Sequence, residues 1–151
     1  MTMAVIKRIL LAEDNENDVE LTLSALKECR LSNHVEVVRD GAEALDYIYR
    51  RGNYAGRTDG DPCVILLDIK MPKVDGIEVL KKIKSDPVLR KIPVVMLTSS
   101  REEADLAESY DRGVNAFVVK PVDFEQFLEA LKTLGVFWAI VNEPPLLKPS
   151  E

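Results

Sequence analysis

Val64-Ile65-Leu66-Leu67-Asp68 is the stretch on which the fold turns. In a strand with one wet face, apolar and polar side chains alternate. Four consecutive apolar residues suit a strand buried on both faces, as in a parallel sheet covered by helices. The run stops on a carboxylate, which places an acid at the carboxyl end of the strand. Working outward, the same pattern recurs. Val5 to Ala12 is a first strand candidate and leads into Glu13-Asp14. Val35 to Val38 is a second. Pro93 to Leu97 is a fourth and meets Thr98, and Ala116 to Val119 is a fifth and meets Lys120.

Helix-period segments separate these runs. Asn17 followed by Glu20 has the spacing of a capping box and opens a helix with a core stripe of Val19, Leu23 and Leu26. Asp40 with Glu43 opens a second, which points Leu45 and Ile48 inward. Residues 77–83 are helical. Ser100 with Glu103 opens a helix over 102–112 that Gly113 closes, and Asp123 with Gln126 opens the last. The stretch from Arg51 to Pro62, rich in Gly, Asn and Asp, is a loop. Five such units predict an α/β fold: a doubly wound, five-stranded parallel sheet of flavodoxin-like type with helices on both faces. The order 2-1-3-4-5 is taken from the common doubly wound topology rather than from these residues.

A chain of 151 residues fits one domain with an ordinary core, and 46% hydrophobic with 30% charged residues is a folded rather than a disordered composition. The net charge of −6 argues against nucleic acid as the main partner. Lys81, Lys82, Lys84, Arg90 and Lys91 cluster in sequence and read as a solvated helix face and loop. Cys29 and Cys63 form neither a metal spacing nor a disulfide framework. The apolar run at the amino terminus is too short for a signal peptide, and the longest uninterrupted one, Val136 to Val141, is far short of a membrane span. The expected location is therefore the cytoplasm, without membrane attachment. His34, the single histidine, reads as a loop or strand-edge residue, and Tyr47, Tyr49, Tyr54 and Tyr110 as packing residues.

Glu13, Asp14, Asp68, Thr98 and Lys120 all fall at carboxyl ends of parallel strands, where ligands bind in open α/β sheets. Three carboxylates in one crevice repel and raise at least one pKa. A hard divalent cation relieves this, and Mg²⁺ favours one or two carboxylates, waters and phosphate oxygens. A carboxylate is also a competent nucleophile toward a phosphoryl group. Lys120 then supplies counter-charge and Thr98 a neutral hydrogen bond. Each residue has a plainer reading too: Asp14 as a helix cap, Thr98 as structural, Lys120-Pro121 as a turn. The specificity lies in their joint placement on four strand ends.

The blocks LLAEDN, VILLDIKMPKVDG, IPVVMLTSS and AFVVKP resemble the signature blocks of response-regulator receiver domains, in order over about residues 5 to 135. The resemblance implies a phospho-accepting Asp68, a direct Mg²⁺ ligand in Asp14, a water-mediated one in Glu13, and a backbone carbonyl ligand from Lys70. It makes Thr98 and Lys120 the phosphoryl-binding pair. Phe117 takes the aromatic switch position, where many relatives carry Tyr and so offer a hydroxyl absent here. Lys120-Pro121 matches a peptide that is cis in the family. About 16 residues follow Gly135, so the expected organisation is a receiver over 1–135 and an apolar segment and tail over 136–151, with no output domain. Within the family the long loop before Asp68, the Phe137-Trp138 pair and the Pro-ended tail are most similar to the single-domain regulators paired with phytochrome kinases. A sensor histidine kinase is the implied partner. The final helix and the run with Phe137 and Trp138 predict a homodimer, unless that run folds back over its own sheet edge.

Three rival readings meet obstacles. An aspartyl-phosphate phosphohydrolase resembles a D-x-D pattern, and Asp68-Ile69-Lys70 lacks the second acid. A flavodoxin-like cofactor binder wants a Ser/Thr/Gly phosphate loop after the first strand, where Glu13-Asp14 repels phosphate. A degenerate receiver that only docks partners would not need the full set of acids, Thr98 and Lys120.

Overall fold

The computed structural model describes residues 8–28, 35–58, 60–99 and 116–134. In chain order these form β1 (Ile9–Ala12), α1 (Glu16–Glu28), β2 (Val35–Val38), α2 (Gly41–Tyr49), β3 (Val64–Asp68), α3 (Gly76–Ser85), β4 (Val94–Thr98), β5 (Ala116–Val119) and α4 (Phe124–Leu134). Short 3₁₀ turns occur at Gly52–Tyr54 and Leu89–Lys91. The helix expected over 102–112 lies outside the described residues. So do Cys29, His34, Tyr110 and the segment 136–151 with Phe137 and Trp138.

The strands form one sheet in the order β2-β1-β3-β4-β5, every pair parallel. The expected doubly wound topology is therefore the observed one. Alternate strand residues feed two cores. Leu10, Ala12, Ile65, Leu67, Val94 and Met96 pack on the side of α2 and α3. Ile9, Leu11, Val64, Leu66, Val95, Leu97, Ala116 and Val118 pack on the side of α1 and α4. All five residues of β3 are buried, which is the physical meaning of its unbroken apolar run. Truncating such a side chain, as in Leu66→Ala, costs about 2–5 kcal/mol.

Each helix start is set by a side chain that accepts from the backbone N–H three residues on. Asp40 accepts from Glu43 N at 2.7 Å, Asp75 from Glu78 N at 2.9 Å and Asp123 from Gln126 N at 2.8 Å. The start of α1 corrects the sequence reading. Asn15, not Asn17, is the cap, and its Oδ1 accepts from Asp18 N at 3.0 Å. Asn17 lies inside the helix. The tyrosines are also less uniform than expected: Tyr47 and Tyr54 meet edge to face at 5.1 Å between centroids, whereas Tyr49 lies at the surface, 38% exposed.

Two glycines bring backbone against backbone around the loop after β3. A Cβ on Gly76 would lie 2.1 Å from the carbonyl oxygen of Asp68, and one on Gly41 would lie 1.7 Å from that of Val74. The amino ends of α3 and α2 are thus pressed onto the loop that follows the end of β3. Lys73 in that loop has φ 70°, unusual for a residue with a side chain, and its Nζ stands 3.5 Å from Asp40 Oδ2.

Candidate active site

In this order the sheet's direction of winding reverses between β1 and β3, and the crevice outside their carboxyl ends is where ligands bind in such folds. β1 delivers Glu13 and Asp14 there, β3 delivers Asp68, and β4 and β5 deliver Thr98 and Lys120. Glu13 N donates to Val38 O at 3.0 Å, which extends the pairing of β1 with β2 by one residue. Its carboxylate is wholly buried, and Oε2 accepts from Asn15 N at 3.1 Å. Asp14 is exposed and Asp68 is buried; one carboxylate oxygen from each of Glu13, Asp14 and Asp68 lies within 4.8 Å of the others.

Lys120 sits among them. Its Nζ is 3.0 Å from Glu13 Oε1, 3.0 Å from Asp68 Oδ1 and 3.0 Å from Asp18 Oδ2. Its backbone N donates to Thr98 O at 2.7 Å, which ties the end of β5 to β4, and the Lys120-Pro121 peptide is cis. Thr98 is fully buried at the end of β4. Phe117 lies opposite Met96 in the strand register, half-buried against the α2–α3 side of the core. Lys70 follows β3 in the turn, with its side chain exposed.

The electrostatics follow from crowding. Burial pushes the Asp68 carboxyl up from an ordinary 3.8 to about 7; the charge of Glu13 adds to the push and Lys120 opposes it. Burial works against the charge of Lys120, but its contacts with Glu13, Asp18 and Asp68 outweigh that and raise its pKa. Among the described residues Glu13, Asp18 and Asp68 therefore crowd the Lys120 ammonium, with Asp14 beside Glu13 and Asp68. Glu13 Oε1 is buried without a hydrogen-bond donor at a proper angle, although Nζ stands 3.0 Å away. A buried acceptor left in that state is costly. Hard oxygen donors with excess negative charge and an unsatisfied oxygen fit a small divalent cation better than a second ammonium.

The sequence reading brought together Glu13, Asp14, Asp68, Thr98 and Lys120, and the fold places all five at the same end of the sheet. It missed Asp18. Asn15 as cap makes Asp18 the third residue of α1, a position whose side chain reaches back over the helix start. The spacing Asn15 to Asp18 was the available signal. The exposed cations Lys81, Lys82, Arg90 and Lys91 lie on α3 and the turn beyond it, away from the acids.

Known proteins place this geometry. The family model described as response regulator receiver domain matches residues 9–132. Among solved structures, the bacteriophytochrome response regulator AtBRR is 62% identical, with a TM-score of 0.85 over 91% of this chain and 99% of that one. The phosphorylated cyanobacterial phytochrome response regulator RcpA is 39% identical, with a TM-score of 0.70 over 94% and 99%. The response regulator Rcp1 of Synechocystis sp. is 36% identical over 87% of this chain and 88% of its own length. The Mn²⁺-bound form of Rcp1 superposes with a TM-score of 0.68 at 34% identity over 93% and 98%. The chain belongs to the response regulator receiver domain family.

Proposed function

We propose that this chain is a stand-alone response regulator that takes a phosphoryl group from a sensor histidine kinase onto Asp68. An Asp68 carboxylate oxygen attacks phosphorus and an O–P bond forms. The P–N bond to the kinase histidine breaks, and its electron pair returns to the imidazole nitrogen. The observation that carries the reading is the buried Asp68 carboxylate with Lys120 Nζ at 3.0 Å and two more acids beside it. Transfer of this kind needs little beyond alignment and charge neutralisation.

Asp14 and Asp68 would hold Mg²⁺ directly, with the Lys70 carbonyl as a further ligand and Glu13 acting through water. Bound Mg²⁺ supplies the positive charge that lets a phosphoryl group approach this acidic crevice. Asp68 must be ionised to attack, and Lys120 favours that form against the pull of burial. Lys120 and the Thr98 hydroxyl then take up phosphoryl oxygens. That shift biases an equilibrium read out on the β5 side near Phe117. Hydrolysis of the acyl phosphate at the same site returns the resting state.

A phytochrome-type kinase is the proposed donor, supported by the similarity to bacteriophytochrome regulators. A homodimer through α4 and the Phe137-Trp138 segment is proposed as the acting form. Action in the cytoplasm fits a chain in which no helix among the described residues is long and apolar enough to cross a membrane.

Intact mass after incubation with acetyl phosphate and Mg²⁺ tests the central step. One phosphoryl adduct is expected on wild type, and none on Asp68→Asn or in the presence of chelator. An adduct that persists in Asp68→Asn would overturn the assignment.

A further inference from the structure

Lys120 has three N–H donors and three carboxylate oxygens at 3.0 Å, from Glu13, Asp18 and Asp68. Three carboxylate oxygens already crowd the ammonium before any phosphoryl group arrives, and Asp18 holds it by a hydrogen bond. A phosphoryl group on Asp68 brings new anionic oxygens, and Lys120 is the cation beside them. The ammonium must therefore give up part of what it now holds. The three acids differ in what release would cost them. The Glu13 side chain is 0% exposed and the Asp68 side chain 6%, whereas that of Asp18 is 25% exposed. A buried carboxylate deprived of its cation is stranded. One that reaches water exchanges a protein contact for solvent at little cost.

Asp18 also arrives from a different direction. Glu13 and Asp68 extend from the sheet itself, but Asp18 comes down from the first turn of α1, held there by the Asn15 cap. Its hydrogen bond to Lys120 spans 102 positions of sequence and pins the end of β5 to α1. α1 packs in turn against α4, which begins four residues after Lys120. Letting go of Asp18 thus removes one polar tie between α1 and the β5–α4 connection, while the apolar packing of α1 on α4 stays, and it frees the ammonium.

We infer that Asp18 is a displaceable latch on Lys120: it holds the ammonium in the unphosphorylated protein and yields it to the phosphoryl group on Asp68. Asp18 is a positioning residue, acting through Lys120. The inference rests on Asp68 being the phospho-acceptor. It implies that the latch opposes the phosphorylated state, so that its removal favours that state.

Beryllofluoride with Mg²⁺, a non-transferable stand-in for the phosphoryl group, tests this when its binding is titrated by ¹⁹F NMR. Asp18→Asn is expected to bind it about threefold to tenfold more tightly than wild type, the range for a partly exposed charge-assisted bond. In a Lys120→Met background the same substitution is expected to change affinity less than twofold. Independently of any ligand, the ¹³Cε resonance of Lys120, assigned by its loss in Lys120→Met, is expected to move in Asp18→Asn. Unchanged or weaker binding by Asp18→Asn would overturn the latch. So would an undiminished effect in the Lys120→Met background, or a stationary Lys120 resonance. Wild type that binds no beryllofluoride would overturn the reading of Asp68 as well, which separates the two failures.

Discussion

Asp68→Asn in the absence of metal should make the fold more stable, by an amount that grows with pH. In the folded chain Asp68 keeps its proton up to about pH 7, against an ordinary 3.8. Between those values the folded state binds more protons than the unfolded state, so stability falls as pH rises through this window. Below it the carboxyl is protonated in both states and costs nothing. Above it the full penalty applies, about 4 kcal/mol for that displacement at 1.36 kcal/mol per pH unit. Asn imitates the protonated acid and removes the penalty. Lys120 is not stranded by the change, because Glu13 and Asp18 remain at 3.0 Å.

Urea unfolding of both proteins in EDTA at pH 5, 6, 7 and 8 measures the gap by linear extrapolation. About 2–4 kcal/mol in favour of Asp68→Asn is expected at pH 8, shrinking to under about 2 kcal/mol at pH 5. Millimolar Mg²⁺ should then narrow the gap at pH 8. A ligand that binds only the folded state stabilises it, and wild type keeps the acid that Asn lacks. A gap that stays constant with pH, or that narrows as pH rises, would refute the claim that burial and Glu13 hold Asp68 protonated.

Gly76→Ala would set a Cβ 2.1 Å from the Asp68 carbonyl oxygen. Thermal or urea unfolding should show a loss of about 2–3 kcal/mol, in the upper part of the range for overpacking, and a smaller loss would mean that the loop after β3 yields easily. Asp14→Ala should weaken Mg²⁺ binding at least about tenfold by calorimetry, roughly the loss of one charged ligand interaction, while Thr98→Ala changes it little. Equal affinities would remove Asp14 from the proposed ligand set. Changing Phe137 and Trp138 to Ser should convert a dimer into a monomer in sedimentation, with Asp68 still phosphorylatable. Wild type that sediments as a monomer at tens of micromolar would dispose of the proposed interface.

What the sequence disclosed and what it withheld have different physical origins. A strand buried on both faces has to be apolar throughout, so Val64 to Leu67 announces its environment directly, and the acid that ends it announces the crevice. Helix caps are local too, and Asp40 and Asp123 were legible because each commands a backbone N–H three residues away. The start of α1 was not, because two caps were available. Asn15-Asp18 and Asn17-Glu20 have the same spacing and the same chemistry. The choice between them is made by the exit from β1, where Glu13 turns its buried carboxylate back to accept from Asn15 N. That bond arrests the chain at Asn15, and the helix starts two residues earlier than Asn17 would allow. The two-residue difference decides more than a boundary. Capped at Asn17, Asp18 would be the residue after the cap and would lie at the helix entrance. Capped at Asn15, it becomes the third residue of the helix and meets an ammonium 102 positions away. Periodicity has no access to that encounter, because it depends on the sheet bringing the ends of β1 and β5 within reach of one helix turn. The placement of Asp18 thus follows from the bond between Glu13 and Asn15, and the same acid adds to the upward push that burial gives the Asp68 carboxyl.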